Sequence, residues 1–251
     1  MKKLPVALQL YSVRDMFAED MLGTLEQVAA LGYDGVELGG GFGNVTPAQI
    51  KAKLDELGLK AVGAHMMLDS LAEAETLEAV KTLGLPTVAL PVLLEDQRPG
   101  KPAFADTIAR IKALIPTLKA LGVSLLYHNH AFEFEKVDGQ YGLDLLRGFF
   151  TPDEMNLEID VCWVRFAGLD PMAYLRENAG RCPLLHMKDY IKDPEFTFKP
   201  VGEGVQDVKA LLEAADDAGV SWLVVEQDLW EPLTSIECAR RSLAHIREAQ
   251  G

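Results

Sequence analysis

The chain has 251 residues, of which 49% are hydrophobic and 25% charged. That composition excludes a disordered, collagen-like or disulfide-stapled chain, and no apolar run approaches the roughly 20 residues that span a bilayer. The 24 basic residues against 38 acidic ones leave a net charge of −14. This disfavours nucleic acid, other polyanions and anionic membranes as partners, because binding phosphate needs basic groups to displace its counterions. Two lysines near the start precede only a short apolar run, so no secretory signal is expected. Cys162, Cys182 and Cys238 are widely spaced and form no CxxC, which suits reduced thiols in a cytoplasmic protein.

The first predicted strand is Val6 to Tyr11. After it one unit recurs: a helical stretch ends in small residues and glycine, and a β-rich run follows. The units are Ala30 to Leu38, Glu56 to Ala64, Thr82 to Leu90, Ala120 to His128 and Asp217 to Val225. The glycine suits a helix C-cap in the left-handed region, and the run after it reads as a strand buried on both faces. Met155 to Val161 and Pro183 to Met187 are strands without that lead-in. Eight strands result, centred near residues 8, 36, 62, 89, 126, 158, 185 and 224, a spacing of about 31 residues, one βα unit each.

Amphipathic helices are expected between them over Glu19 to Leu31, Pro47 to Leu57, Leu71 to Leu83, Ala103 to Leu121, Pro171 to Ala179, Val208 to Ala218 and Thr234 to Gln250. Thr46 and Pro47 form a helix start, and Val137-Asp138-Gly139-Gln140 reads as a hairpin turn. Eight βα units in this length fit an α/β fold, a (β/α)8 barrel forming one domain over residues 1–251, better than a doubly wound open sheet. No Gly-x-Gly-x-x-Gly turn follows the first strand, and Gly39-Gly40-Gly41 lacks the Lys-Ser/Thr of a phosphate loop.

In such a barrel the chemistry lies at the C-terminal strand ends. In strand order these ends carry Gln9, Tyr11 and Ser12; Glu37; His65; Pro91; His128-Asn129-His130 with Glu133 beyond; Glu158 and Asp160; His186, Lys188 and Asp189; and Glu226. Four of the five histidines fall there, His245 being the exception, and burying such groups in an apolar barrel costs several kcal/mol unless they pair or bind a cation. Asp160, His186 and Glu226 stand on three successive strands, so they can surround one divalent ion, with Glu133 or His128 as fourth ligand. A mixed oxygen and nitrogen set without thiolate suits Mn²⁺, Mg²⁺, Co²⁺, Zn²⁺ or Fe²⁺.

Gln9-Leu10-Tyr11-Ser12-Val13-Arg14-Asp15, Tyr127-His128-Asn129-His130, Leu157-Glu158-Ile159-Asp160, His186-Met187-Lys188-Asp189 and Glu226, in this order over about residues 5 to 245, resemble the sugar phosphate isomerase/epimerase group with the xylose isomerase-like barrel. The resemblance implies one divalent metal, Mn²⁺ first among the candidates, held by residues of the last four strands. Asp160, His186 and Glu226 carry over directly, whereas His128 stands where ketose epimerases place Glu. The His-Asn-His-x-x-Glu pattern resembles a branch with 3-keto-glycoside lyases and hydrolases and 2-keto-inositol dehydratase-like proteins; there Glu133 replaces the missing ligand if a bulge turns it inward. Trp163 stands where epimerases often have a substrate-binding His, either as a platform for a sugar face or as core packing.

The implied chemistry is enolisation beside a carbonyl, with the metal as Lewis acid and a base removing the α-proton. Glu226 and Glu133 are the expected bases in an isomerase or epimerase, and His128 or His130 the acid or base in a lyase or hydratase. Lys188 would stabilise an oxyanion. Gln9, Tyr11, Glu37, His65, Glu158 and Trp163 are the expected substrate contacts. The expected partner is a small sugar or sugar derivative, with a homo-oligomer compatible, and a non-catalytic sugar-binding relative would turn nothing over.

Overall fold

The computed structural model describes residues 2–39, 41–192 and 194–251. Gly40, the middle of the Gly39 to Gly41 run, lies outside the described residues. Among the described residues twelve strands occur in chain order: β1 (Val6–Gln9), β2 (Gly35–Leu38), β3 (Lys60–Ala64), β4 (Thr87–Leu90), β5 (Ser124–His128), β6 (Lys136–Val137), β7 (Gln140–Tyr141), β8 (Asn156–Asp160), β9 (Leu184–Met187), β10 (Asp189–Lys192), β11 (Phe196–Lys199) and β12 (Trp222–Val225). Eight of them, in the order β3-β2-β1-β12-β9-β8-β5-β4, form one parallel sheet. Its two edges meet through a bridge between His65 and Ala89, where the Met66 N–H donates to the Ala89 carbonyl at 2.9 Å, so the sheet is a nearly closed barrel. These are the eight strands expected from the sequence, and helices surround them.

The repeated glycines act as expected. Gly32, Gly58, Gly84, Gly122 and Gly219 all have positive φ at helix ends, and Thr46 with Gln49 closes a capping box on the Pro47–Leu57 helix. The hairpin also forms: β6 and β7 pair antiparallel, with Val137 opposite Gln140. Other boundaries differ. The first strand stops at Gln9 rather than Tyr11, because the Gln9 side chain accepts the Tyr11 N–H at 3.1 Å and turns Leu10–Val13 into a 3-10 helix. The expected helix over Leu71 to Leu83 is two pieces, Leu68–Leu71 and Ala74–Leu83.

Successive side chains on a strand face opposite ways, and here both faces are apolar in the lower barrel. Val6, Leu8, Val36, Leu125, Leu157, Ile159, Leu185, Leu223 and Val225 join the main core, which the surrounding helices cover. Ala7, Val62, Ala89, Leu126, Leu184 and Val224 form a small separate cluster that fills the barrel. Two residues onward on four of these strands come Gln9, His128, His186 and Glu226. The same inward row therefore changes from apolar to polar at one height, and that height is the floor of the site.

Between β2 and β3 the register shifts by one residue, placing Glu37 opposite Gly63. A Cβ at Gly63 would lie 2.5 Å from Thr87 Oγ1 and 3.0 Å from Glu37 Oε1, so the missing side chain makes room for the Glu37 carboxylate.

After β9 the chain makes an excursion that carries no periodic signal: β10 and β11 pair as an antiparallel hairpin before returning to the Val208–Ala218 helix. One buried carboxylate ties it down. Asp189 Oδ1 accepts the N–H groups of Tyr190, Val205 and Gln206, and Oδ2 those of Gly202 and Gly204, at 2.8 to 3.1 Å. An amide offers only one oxygen, so Asp189→Asn turns an NH₂ group against at least two of these donors. We expect a loss of about 2–5 kcal/mol of stability, since each unsatisfied buried donor costs about 1–3 kcal/mol. A urea midpoint unchanged from the wild type would remove Asp189 from this role.

Candidate metal centre at the barrel mouth

The polar groups at the strand ends form two tiers. In the upper tier His128 from β5, Asp160 from β8, His186 from β9 and Glu226 just past β12 offer four donor atoms that all lie within 4.8 Å of one another. They are buried and could hold a divalent metal. Of the two candidates for the fourth position, His128 belongs to this group.

Local structure sets each ligand. Asp160 caps the Val161–Phe166 helix, its Oδ1 accepting the Cys162 N–H at 2.8 Å. Its Oδ2 is buried and has no hydrogen-bond partner. Asn129 locks the same residue through the backbone, accepting the Asp160 N–H at 3.0 Å and donating to its carbonyl at 3.4 Å. His186 Nδ1 lies 3.0 Å from Glu226 Oε2. This buried oxygen, which no hydrogen bond satisfies and which has the Lys188 ammonium 3.3 Å away as its charge partner, sits among three other donors as in a cation site.

Lys188 fills the space beside this tier. Its ammonium is 1% exposed and stands 2.9 Å from Glu226, 3.3 Å from Asp160 Oδ2 and 3.1 Å from Asp228. Burial opposes its charge, but Glu226, Asp160 and Asp228 win and hold the pKa well above that of an ordinary lysine. Glu226 is correspondingly held well below the usual carboxylate range: burial resists ionisation, and Lys188 and His186 overcome it. Burial pushes Asp160 up to about 6, against the pull of Lys188.

The lower tier gathers Glu37 and Glu158 beneath the same imidazoles, and His65 reaches both from the cavity wall. Gln9 Nε2 donates to Glu37 Oε2 at 2.8 Å, and His186 Nε2 stands 2.8 Å from that oxygen. Glu158 Oε2 lies 2.6 Å from His65 Nε2, 3.1 Å from His128 Nδ1 and 3.2 Å from His186 Nε2. Burial and the Glu158 charge push Glu37 up to about 7. Burial also works against charge on His186, yet Glu158 and Glu37 hold its pKa well above the ordinary value. Burial and the His186 charge hold His128 well below it.

Above the tiers opens a cavity of about 460 Å³, lined by Tyr11, His65, His128, His130, Lys188 and Glu226 among others, a size that suits a small ligand. His130 is pushed down to about 4 by burial and by Lys188, so it is neutral at pH 7. The remaining expected residues are not among those lining the cavity, although Trp163 stands 5.7 Å from the His130 ring and 5.5 Å from the Lys188 ammonium. Gln9, Glu37 and Glu158 are fully buried below the cavity. Trp163 packs into an aromatic cluster, stacked on Phe196 with ring centres 5.9 Å apart and edge-on to Phe198. Glu133 is not among the grouped donors. It sits in the 3-10 turn Phe132–Phe134, where no bulge turns it inward, its Oε1 accepting the Tyr127 hydroxyl at 2.6 Å and its Oε2 the His130 N–H at 2.8 Å. Burial raises its pKa to about 7. Asp228, absent from the sequence expectations, completes the Lys188 cage. Asp228 lies in a bend past the end of β12, and its one signal in the sequence is its place two residues after Glu226.

The cage makes a testable demand. Removing one partner of a buried ion pair typically costs about 3–5 kcal/mol, so Lys188→Met should destabilise the fold by that order at pH 8. The stranded carboxylates then bind protons more readily in the folded than in the unfolded chain, so stability falls as pH rises and the deficit narrows towards pH 5. Urea unfolding at the two pH values checks this; an equal deficit at both would contradict it.

Residues 25–249 match the family model for the xylose isomerase-like TIM barrel. No curated protein sequence matches the chain. Among solved structures, a sugar phosphate isomerase/epimerase from Parabacteroides distasonis superposes with a TM-score of 0.79 at 22% identity, over 98% of this chain and 94% of that one. An L-ribulose 3-epimerase gives 0.76 at 17% identity, over 99% and 95%. A probable 3-DHS dehydratase involved in petrobactin synthesis from Bacillus anthracis gives 0.74 at 12% identity, over 96% and 99%. At these identities the likeness is one of fold.

Proposed function

We propose that this chain, which belongs to the xylose isomerase-like TIM-barrel family, is a divalent-metal-dependent isomerase or epimerase that removes a proton beside the carbonyl of a sugar or keto-sugar. The observation that carries the reading is the set His128, Asp160, His186 and Glu226, four donors from four neighbouring strands beneath an open cavity. Mn²⁺ leads the candidate ions, with Mg²⁺, Co²⁺, Zn²⁺ and Fe²⁺ also suited to such donors. The bound ion supplies Lewis acidity to a carbonyl and its neighbouring hydroxyl.

The chain's own residues do the rest, within one barrel domain. Glu226 is ionised and lines the cavity, so it can accept the α-proton. Lys188 stands 2.9 Å from Glu226 and lines the cavity too, which places a fixed positive charge where oxyanion character develops. Tyr11 and His65 offer hydrogen bonds to hydroxyls at the rim. Glu37 and Glu158 act from below, through the histidines they hold, and Gln9 holds Glu37.

One observation favours a second reading, a lyase or hydratase on a keto-sugar. Epimerisation by two carboxylates needs an acid on each side of the substrate, and Glu133 is occupied by Tyr127 and the His130 backbone. His130, neutral and at the cavity wall, is the remaining partner for Glu226. One carboxylate and one imidazole suit proton removal followed by protonation of a leaving group.

Two outcomes are expected. With Mn²⁺ present, the protein should exchange the α-proton of its keto-sugar for deuterium from D₂O, and Glu226→Gln should slow that exchange at least about 10²-fold, within the range attributed to a positioned base. NMR of the recovered sugar reads both the exchange and the product. Undiminished exchange in the variant would take Glu226 out of the reaction. Metal uptake should also tighten from pH 6 to pH 8, because binding must displace the protons favoured on His186, and on Asp160 near pH 6. Calorimetric titrations showing equal affinity across this range would count against these two residues as ligands.

A further inference from the structure

We infer that Glu133 is a positioning residue, which holds the His130 imidazole at the cavity wall as the proton-transfer partner of Glu226. The inference rests on that reading of His130. The three other histidines of the cluster are oriented through their ring nitrogens: His65 and His128 by Glu158, and His186 by Glu37 and Glu226. His130 has no such hold. Its Nδ1 is buried and finds no hydrogen-bond partner among the described residues. It also stands two residues past the end of β5, where no strand pairing fixes the backbone. A ring left free in this way keeps its nitrogens for a ligand, but displacing a reacting group by about 1 Å can cost about 10²-fold in rate. Its orientation must then come from its backbone and its faces.

Glu133 fixes the backbone. Its Oε2 accepts the His130 N–H at 2.8 Å, and its Oε1 accepts the Tyr127 hydroxyl at 2.6 Å. Tyr127 is a buried residue of β5, so one buried carboxylate ties residue 130 to the rigid strand three positions before it. The turn that carries Glu133 does not need this carboxylate to close. The Phe134 and Glu135 N–H groups already donate to the Ala131 and Phe132 carbonyls at 3.1 Å. What the carboxylate adds is the place of His130.

The neighbouring residue holds the ring itself. Phe132 lies parallel to the His130 imidazole, at 6° with ring centres 5.7 Å apart, and Trp163 lies at 32° and 5.7 Å. Phe132 is in turn pinned by Arg98, whose guanidinium sits 3.5 Å over its ring and whose Nε donates to the Leu93 carbonyl at 3.1 Å. Leu93 and Arg98 belong to the segment after β4, and Pro91 and Val92 of that segment line the cavity. Adjacent residues of one turn therefore grip His130, Glu133 by its N–H and Phe132 by its ring.

Two readouts test this. The first is NMR of histidine-labelled protein, with His130→Ala assigning the His130 ring signals and circular dichroism checking the fold. In Glu133→Ala those signals should move towards free imidazole while the His65, His128 and His186 signals stay. Glu133→Gln should restore them, because its amide oxygen can accept the His130 N–H and its NH₂ can donate to the Tyr127 oxygen. Glu133→Leu, which keeps the volume, takes the place of the alanine variant where that does not fold. His130 signals unmoved in a folded variant overturn the proposal. The second readout separates two steps on free ketohexoses as probes, with Mn²⁺ in D₂O. Removal and return of the α-proton by Glu226 should persist in Glu133→Ala, while product formation, which needs the partner, falls about 10²-fold and recovers in Glu133→Gln. An equal fall in exchange and product reduces Glu133 to a structural role and overturns the proposal. A wild type that exchanges no ketohexose tells against the functional reading, and the NMR result then decides the place of His130 by itself.

Discussion

The structure turns on the burial of four carboxylates, Glu37, Glu158, Asp160 and Glu226, at one end of a barrel whose inner layer below them is apolar. Ionised groups taken out of water cost several kcal/mol each unless charge or hydrogen bonds return the loss. Here the return comes from one ammonium and three imidazoles packed among the acids. Most of the polar detail nearby serves this balance. Gln9 satisfies Glu37, Asn129 fixes the Asp160 backbone, and the Asp160 cap leaves one oxygen aimed at the cluster. Lys188 alone touches three carboxylates, which is why it stays charged at near-zero exposure.

Strand geometry explains why the acids meet at all. Inward-facing positions recur every second residue, so an apolar layer of Ala7, Leu126, Leu184 and Val224 is followed at the next inward position by Gln9, His128, His186 and Glu226. On β8 the inward row turns polar earlier, giving Glu158 and then Asp160. One strand thereby contributes to both tiers, and the rings of His128 and His186 span the gap between them. The depth of the polar layer follows from where each strand changes from apolar to polar, not from any loop.

Most of this was legible in the sequence because it follows from periodicity. The five glycine-capped units, the isolated strands at Met155 and Pro183 and the histidines at strand ends all have local causes, and they located the barrel and its mouth. Three features lacked such a cause. The excursion of β10 and β11 is held by Asp189 through backbone groups up to 17 residues away, which no composition announces. The two tiers depend on which ring nitrogen faces which acid. The place of Glu133 depends on Tyr127, an outward-facing strand residue whose hydroxyl captures the carboxylate before it can turn inward. A side chain three residues past the His-Asn-His run has no fixed direction in sequence, so that His128 and not Glu133 lies with the other three donors is visible only in three dimensions.

The position of Lys188 bears on how the upper tier would work. An ammonium 2.9 Å from Glu226 and 3.3 Å from Asp160 keeps charge on the first and resists the neutralisation of the second by burial. It therefore prepares the donors for a cation and at the same time repels one. Asp228 stands 3.1 Å from the same ammonium, and the Trp163 and Phe198 ring centres lie 5.5 and 5.6 Å from it, so the charge is fixed between carboxylates and aromatic faces at the cavity wall.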